Sequence, residues 1–421
     1  MFYFIHIFNI ILFICLGIAL IFAFWRIAYV IIAFFKSKPL KETNQHAKFA
    51  IIIPARNESN VISRLLNSLN AQDYPKEKFE VFVVLDKADQ TTEIVKKFNY
   101  NAFVVHPNHP KGKGNAINAL IQNFKENNKI FDAYVIFDAD NVAKENFLTE
   151  MNKAYQTGVK LGAGYRNTLN KPGNLIADCS ALMFSDINTF QNKGRTALKR
   201  NILISGTGFF IDAEVVNSAG GWVWTTLTED YQLSLYCALN NVKSAYIPSA
   251  EYFDEQPTSL KVLNKQRVRW IKGFFQSRKL YRKQIYKSLT EKENRASKWE
   301  FALGVVPNLV AIVSLILYFV TMIGIFIFAL ASGFYSTNQL LIPLLNAVFL
   351  LVYVYAFLFI FTIFQLIAER KYFKFGFFNS IKILFLNPLF ICLYIPHATK
   401  AIFSKNVKWQ PIEHGVAQGK F

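Results

Sequence analysis

FAIIIPARNE, residues 49–58, sets the fold. The run from Phe49 to Pro54 is apolar without a break and then stops at a polar turn. A strand with one face in water would alternate, so an unbroken run predicts a strand covered on both faces, as in a parallel sheet. Just downstream, Val61, Ile62, Leu65, Leu66 and Leu69 give residues 60–71 helical spacing. EVFVVL (80–85) repeats the strand pattern and 91–98 the helical one. Ala102–Val105 and Asn115–Phe124 form a third strand–helix pair, and AYVIF (133–137) a fourth strand. This alternation predicts an α/β fold with a mostly parallel sheet and helices on both faces. Ligands bind such sheets beyond the carboxyl ends of the strands, so function is to be sought in the residues that follow each one.

Those residues carry charge. Pro54-Ala55-Arg56-Asn57-Glu58 follows the first strand, Asp86 and Asp89 the second, and Asp138-Ala139-Asp140-Asn141 the fourth. Lys111-Gly112-Lys113-Gly114-Asn115 precedes the third helix. Carboxylates and lysines on one sheet edge suit a nucleoside diphosphate with a hard divalent ion. Carboxylate oxygens hold Mg2+ or Mn2+, the ion neutralises the diphosphate, and lysines and glycine amides add donors. Each piece alone has an ordinary explanation. An Asp-x-Asp triplet is often a solvated turn, KGKG lacks the P-loop spacing, and Asp86 could cap the next helix. Their occurrence together at consecutive strand ends argues for a site.

The second half adds three features. SGTGFF (205–210) follows Ile202–Ile204, and Gly206 and Gly208 permit close approach of a ligand to the backbone. Thr228-Glu229-Asp230 opens an apolar-patterned helix, where capping by Thr228 and dipole pairing would explain the trio without any ligand. Gln266, Arg269 and Trp270 stand at i, i+3 and i+4 and share a helix face. An amide, a guanidinium and an indole there can hydrogen-bond, pair with phosphate and stack on a sugar. A basic amphipathic helix lying on anionic lipid is the competing reading.

Of 421 residues, 52% are hydrophobic and 18% charged, against about 25% charged in soluble domains. That excludes a disordered chain and a fully soluble enzyme. Lys plus Arg number 47 against 28 Asp plus Glu, a net charge of +19. Nucleic acid, anionic membrane lipid or a phosphorylated small molecule would each answer that excess. The charge is spread through membrane flanks and loops with no recognition module, which argues against nucleic acid. The four cysteines are widely spaced with no CxxC pair, so neither a disulfide framework nor a zinc site is expected.

Residues 7–25 carry no charge and the apolar run continues past Arg26 to Phe35, which predicts one N-terminal signal anchor. From Phe301 to Ala368 there is no Asp, Glu, Lys, Arg or His, and the run breaks once near 332–338. Two spanning helices at about 301–331 and 340–368 follow. Residues 375–403 are apolar but contain Lys382, Pro388, Pro396 and Lys400, so this segment spans or lies in the interface. The expected organisation is an anchor (1–46), a globular domain (47–285) and a membrane region (286–421). Arg26, Lys36, Lys38 and Lys41 place 36–300 in the cytoplasm by the positive-inside rule, with the uncharged loop outside and Arg370, Lys371 and Lys374 back inside. Lys400, Lys405 and Lys408 favour a last segment that does not cross. A multi-pass plasma-membrane protein is expected.

The PARNE strand end, the Asp86 loop, the DAD triplet (138–140), the TED triplet (228–230) and QxxRW (266–270), in that order and before a membrane block, resemble family-2 glycosyltransferases. The likeness is to the membrane-embedded GT-A group of cellulose, chitin, hyaluronan and poly-N-acetylglucosamine synthases. It implies a GT-A-like Rossmann-type domain and inverting transfer from a UDP-sugar, giving a β-linkage. Asp86 would contact the uracil or ribose, Asp138 the nucleotide, and Asp140 would ligate Mg2+ or Mn2+. Asp230 would be the general base. Ala55, Arg56, Glu58, Lys113, Gln266, Arg269 and Trp270 complete the expected donor site. Gly206, Thr207, Gly208 and Glu229, with Trp270, form the acceptor site, and only one of Glu229 and Asp230 should reach substrate. Asp89 follows Asp86 by three residues where the family often has four, so it is not counted as a ligand. The membrane region is smaller than in cellulose or hyaluronan synthases, so a homo-oligomer or accessory subunit would complete a polymer channel. No PilZ-like domain follows, so internal cyclic-di-GMP control is not expected. The leading expectation is a processive exopolysaccharide synthase. A non-processive transferase making a glycolipid and an inactive nucleotide-sugar-binding scaffold are the alternatives.

Overall fold

The computed structural model describes residues 2–24, 26–333 and 337–404. Its centre is an eight-stranded sheet in the order β3-β2-β1-β4-β7-β6-β8-β5. The strands are β1 (Phe49–Ala55), β2 (Phe79–Leu85), β3 (Asn101–Val104), β4 (Ala133–Ile136), β5 (Val142–Ala143), β6 (Leu161–Thr168), β7 (Phe209–Asp212) and β8 (Ser244–Asp254). The unbroken apolar run of β1 has its reason in the layers. Phe49, Ile51 and Ile53 face the helices Ile62–Asn70 and Phe147–Gln156, while Ala50 and Ile52 face Lys113–Glu126. Both faces are covered, so no position is left for a polar residue.

β1 to β4 lie within two residues of the expected strands and pair parallel. The second half does not continue that pattern. β7 runs antiparallel to both β4 and β6, β5 antiparallel to β8, and only β6 and β8 pair parallel. The sheet is therefore mixed, with four of its seven neighbouring pairs parallel, as expected, and three antiparallel. β7 comes after β6 and the helical residues 175–197, and enters antiparallel between β4 and β6.

The N-terminal apolar run is helical over its described residues Phe2–Phe24 and Arg26–Ala33. Phe2–Phe24 packs against Val306–Ser332, with the Phe13 and Tyr318 rings 5.1 Å apart. Residues Arg26–Ala33 lie on residues 186–197. Arg26 donates to the Gly304 carbonyl at 3.2 Å and Tyr29 to Glu300 Oε2 at 2.8 Å. Glu300 also holds Arg195 at 2.6 Å. These contacts fasten the N-terminal segment to the globular domain.

Arg295–Ser332, Leu341–Ala368 and Phe377–Phe403 are long and apolar enough to cross a membrane. The last, left open by sequence, comprises the helices Phe377–Cys392 and Tyr394–Phe403. Phe334–Ser336, in the loop expected outside, and Lys405 and Lys408, used for orientation, lie outside the described residues. Asn387 donates to Thr362 Oγ1 at 3.0 Å and Gln365 to the Leu182 carbonyl at 3.1 Å, which fastens the membrane helices to the helix Leu175–Ser185. Glu369, which reads as a helix-end flank, is 1% exposed and accepts from Tyr165 of β6 at 2.5 Å.

Candidate active site

The parallel half of the sheet brings its strand ends to one edge. Ala55, Arg56 and Asp86 line a cavity of about 260 Å3 together with His106, His109 and Lys111. Arg56 Nε stands 3.5 Å from Asp86 Oδ2. The two histidines come from the turn after β3, which carries no motif and was not singled out in the sequence. Asp89 caps the helix Gln90–Lys97: its Oδ1 accepts from the Thr91 amide at 2.8 Å. Capping thus falls to Asp89 and leaves Asp86 at the cavity. Glu58 is not among the residues that line it. Its amide donates to Thr91 Oγ1 at 3.2 Å and ties the first loop to the second.

Lys113, in the first turn of Lys113–Glu126, joins this cavity to the second half of the chain. Its ammonium donates to Asp138 Oδ1 at 2.6 Å and to the Gly206 carbonyl at 2.7 Å, and lies 3.6 Å from Glu229 Oε1. Burial pulls the Lys113 pKa down, but Asp138 and Glu229 more than offset it, so it rises above the ordinary lysine value. One lysine therefore holds the DAD turn against the TED helix.

Asp140 is 9% exposed. Burial, then repulsion from Asp138 and Asp254, pushes its carboxyl up to about 8, while Arg166 pulls the other way. A crowded, buried carboxylate of this kind fits a cation. Among the described residues no three His, Cys, Asp or Glu side chains gather closely enough to hold one unaided. The donor set therefore fits Mg2+ or Mn2+ whose other oxygen ligands come from a diphosphate and water.

Asp230 lies in the first turn of Glu229–Leu239. Its Oδ1 accepts from the Tyr231 amide at 2.8 Å, and Oδ2 faces Gly206, where a Cβ would stand 3.4 Å away. Burial and then Glu229 push its carboxyl up to about 6, against the Tyr231 amide, Lys113 and Arg269. Desolvation thus outweighs the pull of the helix N-terminus toward the ionised form. Both Glu229 and Asp230 raise the Lys113 pKa, and Glu229 is the one at ion-pair distance from its ammonium.

The glycine turn departs from expectation at two positions. The Thr207 hydroxyl is buried, accepts from the Asp138 amide at 2.8 Å and bonds Asn141 Oδ1, so it braces the DAD turn and does not face an acceptor. Gly208 has φ +63, and a Cβ there would meet the Tyr252 ring at 2.0 Å. Its close approach is to that ring. Gly206 alone of the three faces the cleft, beside Asp230.

On the helix Leu260–Ser288, Gln266 and Trp270 are half-buried and Arg269 donates to the Leu227 carbonyl at 3.3 Å, just before the TED helix. Trp270 meets Phe184 edge-to-face at 6.0 Å. Arg267, between them in sequence, is fully buried, with its guanidinium 4.2 Å from the Phe390 ring and 4.4 Å from Tyr394. This stretch is thus packed on the membrane helices through Arg267 and turned to the cleft through Arg269.

A profile of the family described as glycosyltransferase like family 2 matches residues 46–273. The chain is similar to "Probable glycosyltransferase YdaM" of Bacillus subtilis (strain 168), 28% identical over 235 residues, 54% of this chain and 55% of that protein. It is similar to the poly-beta-1,6-N-acetyl-D-glucosamine synthase of Staphylococcus epidermidis, 24% identical over 279 residues, 64% of this chain and 65% of that one. The matches span between about half and two thirds of these relatives' lengths. Among solved structures, the mannosyltransferase PcManGT from Pyrobaculum calidifontis, in complex with GDP-Man and Mn2+, superposes with a TM-score of 0.56 at 14% identity. The superposition covers 96% of this chain and 100% of that one, and it shows a shared GT-A-like fold.

Proposed function

For a chain that belongs to the glycosyltransferase-like family 2, we propose inverting transfer of a sugar from a UDP-sugar to a hydroxyl of a growing β-linked polysaccharide at a membrane. The observation that carries this reading is Lys113, which holds Asp138 and Glu229 together and so places the candidate cation site and the candidate base in one cleft. The similarity to a poly-beta-1,6-N-acetyl-D-glucosamine synthase supports a polymer product. The uncharged span ends and basic flanks support a cytoplasmic catalytic side.

Ala55, Arg56 and Asp86 would bind the nucleoside, with Lys113, Asp138 and Arg269 near its diphosphate. Asp140, with Asp138 beside it, would hold Mg2+ or Mn2+, which when bound neutralises charge building on the leaving diphosphate. Asp230 Oδ2 would take the proton from the acceptor hydroxyl. The acceptor oxygen then bonds the anomeric carbon as the bond from that carbon to the diphosphate oxygen breaks, and the electron pair leaves with UDP. Attack opposite the leaving group turns an α-linked donor into a β-linked product. Trp270, against Phe184, would stack on the acceptor end.

The proposal is tested by supplying membranes that contain the protein with labelled UDP-N-acetylglucosamine, UDP-glucose and GDP-mannose. A polymer of high molecular mass from a UDP-sugar is the expected product. An organic-extractable lipid would replace the polymer with a glycolipid, and binding without any transfer would leave only a scaffold.

Two outcomes arise from the site. Asp230 acts as a base only when ionised, and its carboxyl titrates at about 6. The transfer rate should therefore fall about tenfold per pH unit below that value and level off above it. A profile of kcat/KM that stays flat from about pH 5 to pH 7.5 would exclude Asp230 as the base. Trp270→Ala should raise the acceptor KM about tenfold or more, the cost of losing one aromatic stack, with UDP affinity nearly unchanged. A defect confined to donor binding would move Trp270 to the other subsite.

A further inference from the structure

Arg166 of β6 belongs to no motif, yet it makes contacts with three parts of the candidate site. Its side chain is 13% exposed. Nε donates to Asp254 Oδ2 at 2.7 Å, Nη2 bonds the same carboxylate, and Nη1 donates to the Ser205 carbonyl at 2.7 Å. The guanidinium lies 3.6 Å from the centre of the Phe184 ring. The Arg166 carbonyl is itself held by Asn188 at 3.0 Å, from the π-helical turn Asp186–Asn192. Each partner leads to a different part of the candidate site. Asp254, at the end of β8, is near enough to repel Asp140. Ser205 precedes Gly206, which faces Asp230. Phe184 carries Trp270 on its edge.

We infer that Arg166 is a positioning residue, which fixes the cation-binding Asp140, the base Asp230 and the acceptor-facing Trp270 relative to one another through Asp254, Ser205 and Phe184. The inference rests on the glycosyltransferase reading above. A planar guanidinium is the one basic group able to meet all three demands. It bonds a carboxylate along one edge, a carbonyl along another and an aromatic ring with its face. Lysine keeps the charge but is a point donor on a flexible stem. A simple countercharge to Asp254 would be replaceable by lysine; a strut would not.

The test uses the full-length protein in detergent or nanodiscs, with two variants. Arg166→Lys keeps the charge. The double variant Arg166→Met, Asp254→Asn removes both charges of the pair together. Three readouts are taken: Mn2+ binding in the presence of UDP, followed by electron paramagnetic resonance; kcat at saturating Mn2+ with whichever screened donor turns over; and the melting temperature. The expected result is a fall in kcat of about 10- to 100-fold in both folded variants. Weaker Mn2+ binding should accompany it, and the loss should persist at saturating metal. Wild-type kcat in either folded variant overturns the inference. Unfolding of both variants overturns it as well, because Arg166 would then be a stability element. Wild-type protein that binds no UDP with Mn2+ would instead overturn the functional reading beneath it.

Discussion

Asp230→Asn should cost about 10²- to 10⁴-fold in transfer rate while leaving UDP affinity unchanged, the range for removing a general base. The substitution keeps the shape of the side chain and the Tyr231 amide can still donate to its oxygen, so the loss isolates proton removal. Stability should move the other way. The Asp230 carboxyl is raised on folding from its ordinary 3.8 to about 6. A carboxyl raised in this way supports the fold below 3.8, and that contribution is lost as pH rises through about 6. At neutral pH the buried charge is a burden on the fold, and the asparagine variant should melt no lower than wild type. UDP release at equal rates from the two proteins would remove Asp230 from the mechanism. A large drop in melting temperature would show that the residue is structural.

Asp140→Ala should cost about 10³-fold, corresponding to several kcal/mol of charge stabilisation at the leaving diphosphate. Chelation of wild-type protein should have the same effect, with Mg2+ or Mn2+ restoring the rate and the variant gaining nothing from either. The crowding of Asp140 with Asp138 and Asp254 sets the expectation, because those charges tolerate one another better across a cation. Undiminished transfer in EDTA would remove the metal from the reaction.

Asp140 was legible in the sequence because local patterning fixes where it stands. An unbroken apolar run has to be a covered strand, and the residue after a covered strand has to emerge at the sheet edge. Asp86, Asp138 and Asp140 are placed by that rule alone. Lys113 was legible as a loop residue, but its bridge to Glu229 depends on a helix more than a hundred positions away. The direction of a side chain within a turn was not legible. Thr207 points inward because Asp138 and Asn141 offer it partners, and Gly208 is small because Tyr252 lies over it. Nothing near either residue in sequence announces this. Arg166 was hidden for the same reason, since Asp254 lies 88 positions downstream. The antiparallel return of β7 was hidden too, because an apolar strand reads the same in either direction.

The clasp between the N-terminal segment and the sheet-bearing domain bears on how this protein can be handled. Tyr29 covers Gly194 so closely that a methyl there would sit 2.4 Å from its ring, and its hydroxyl shares Glu300 with Arg195. Trimming the chain before the first strand, a usual route to a water-soluble fragment, would strip the lid from a buried ion pair and bare the apolar wall around it. The leading segment is thus a wedge of the enzyme's own interior as much as a mooring, and a fragment lacking it should clump where the intact chain does not.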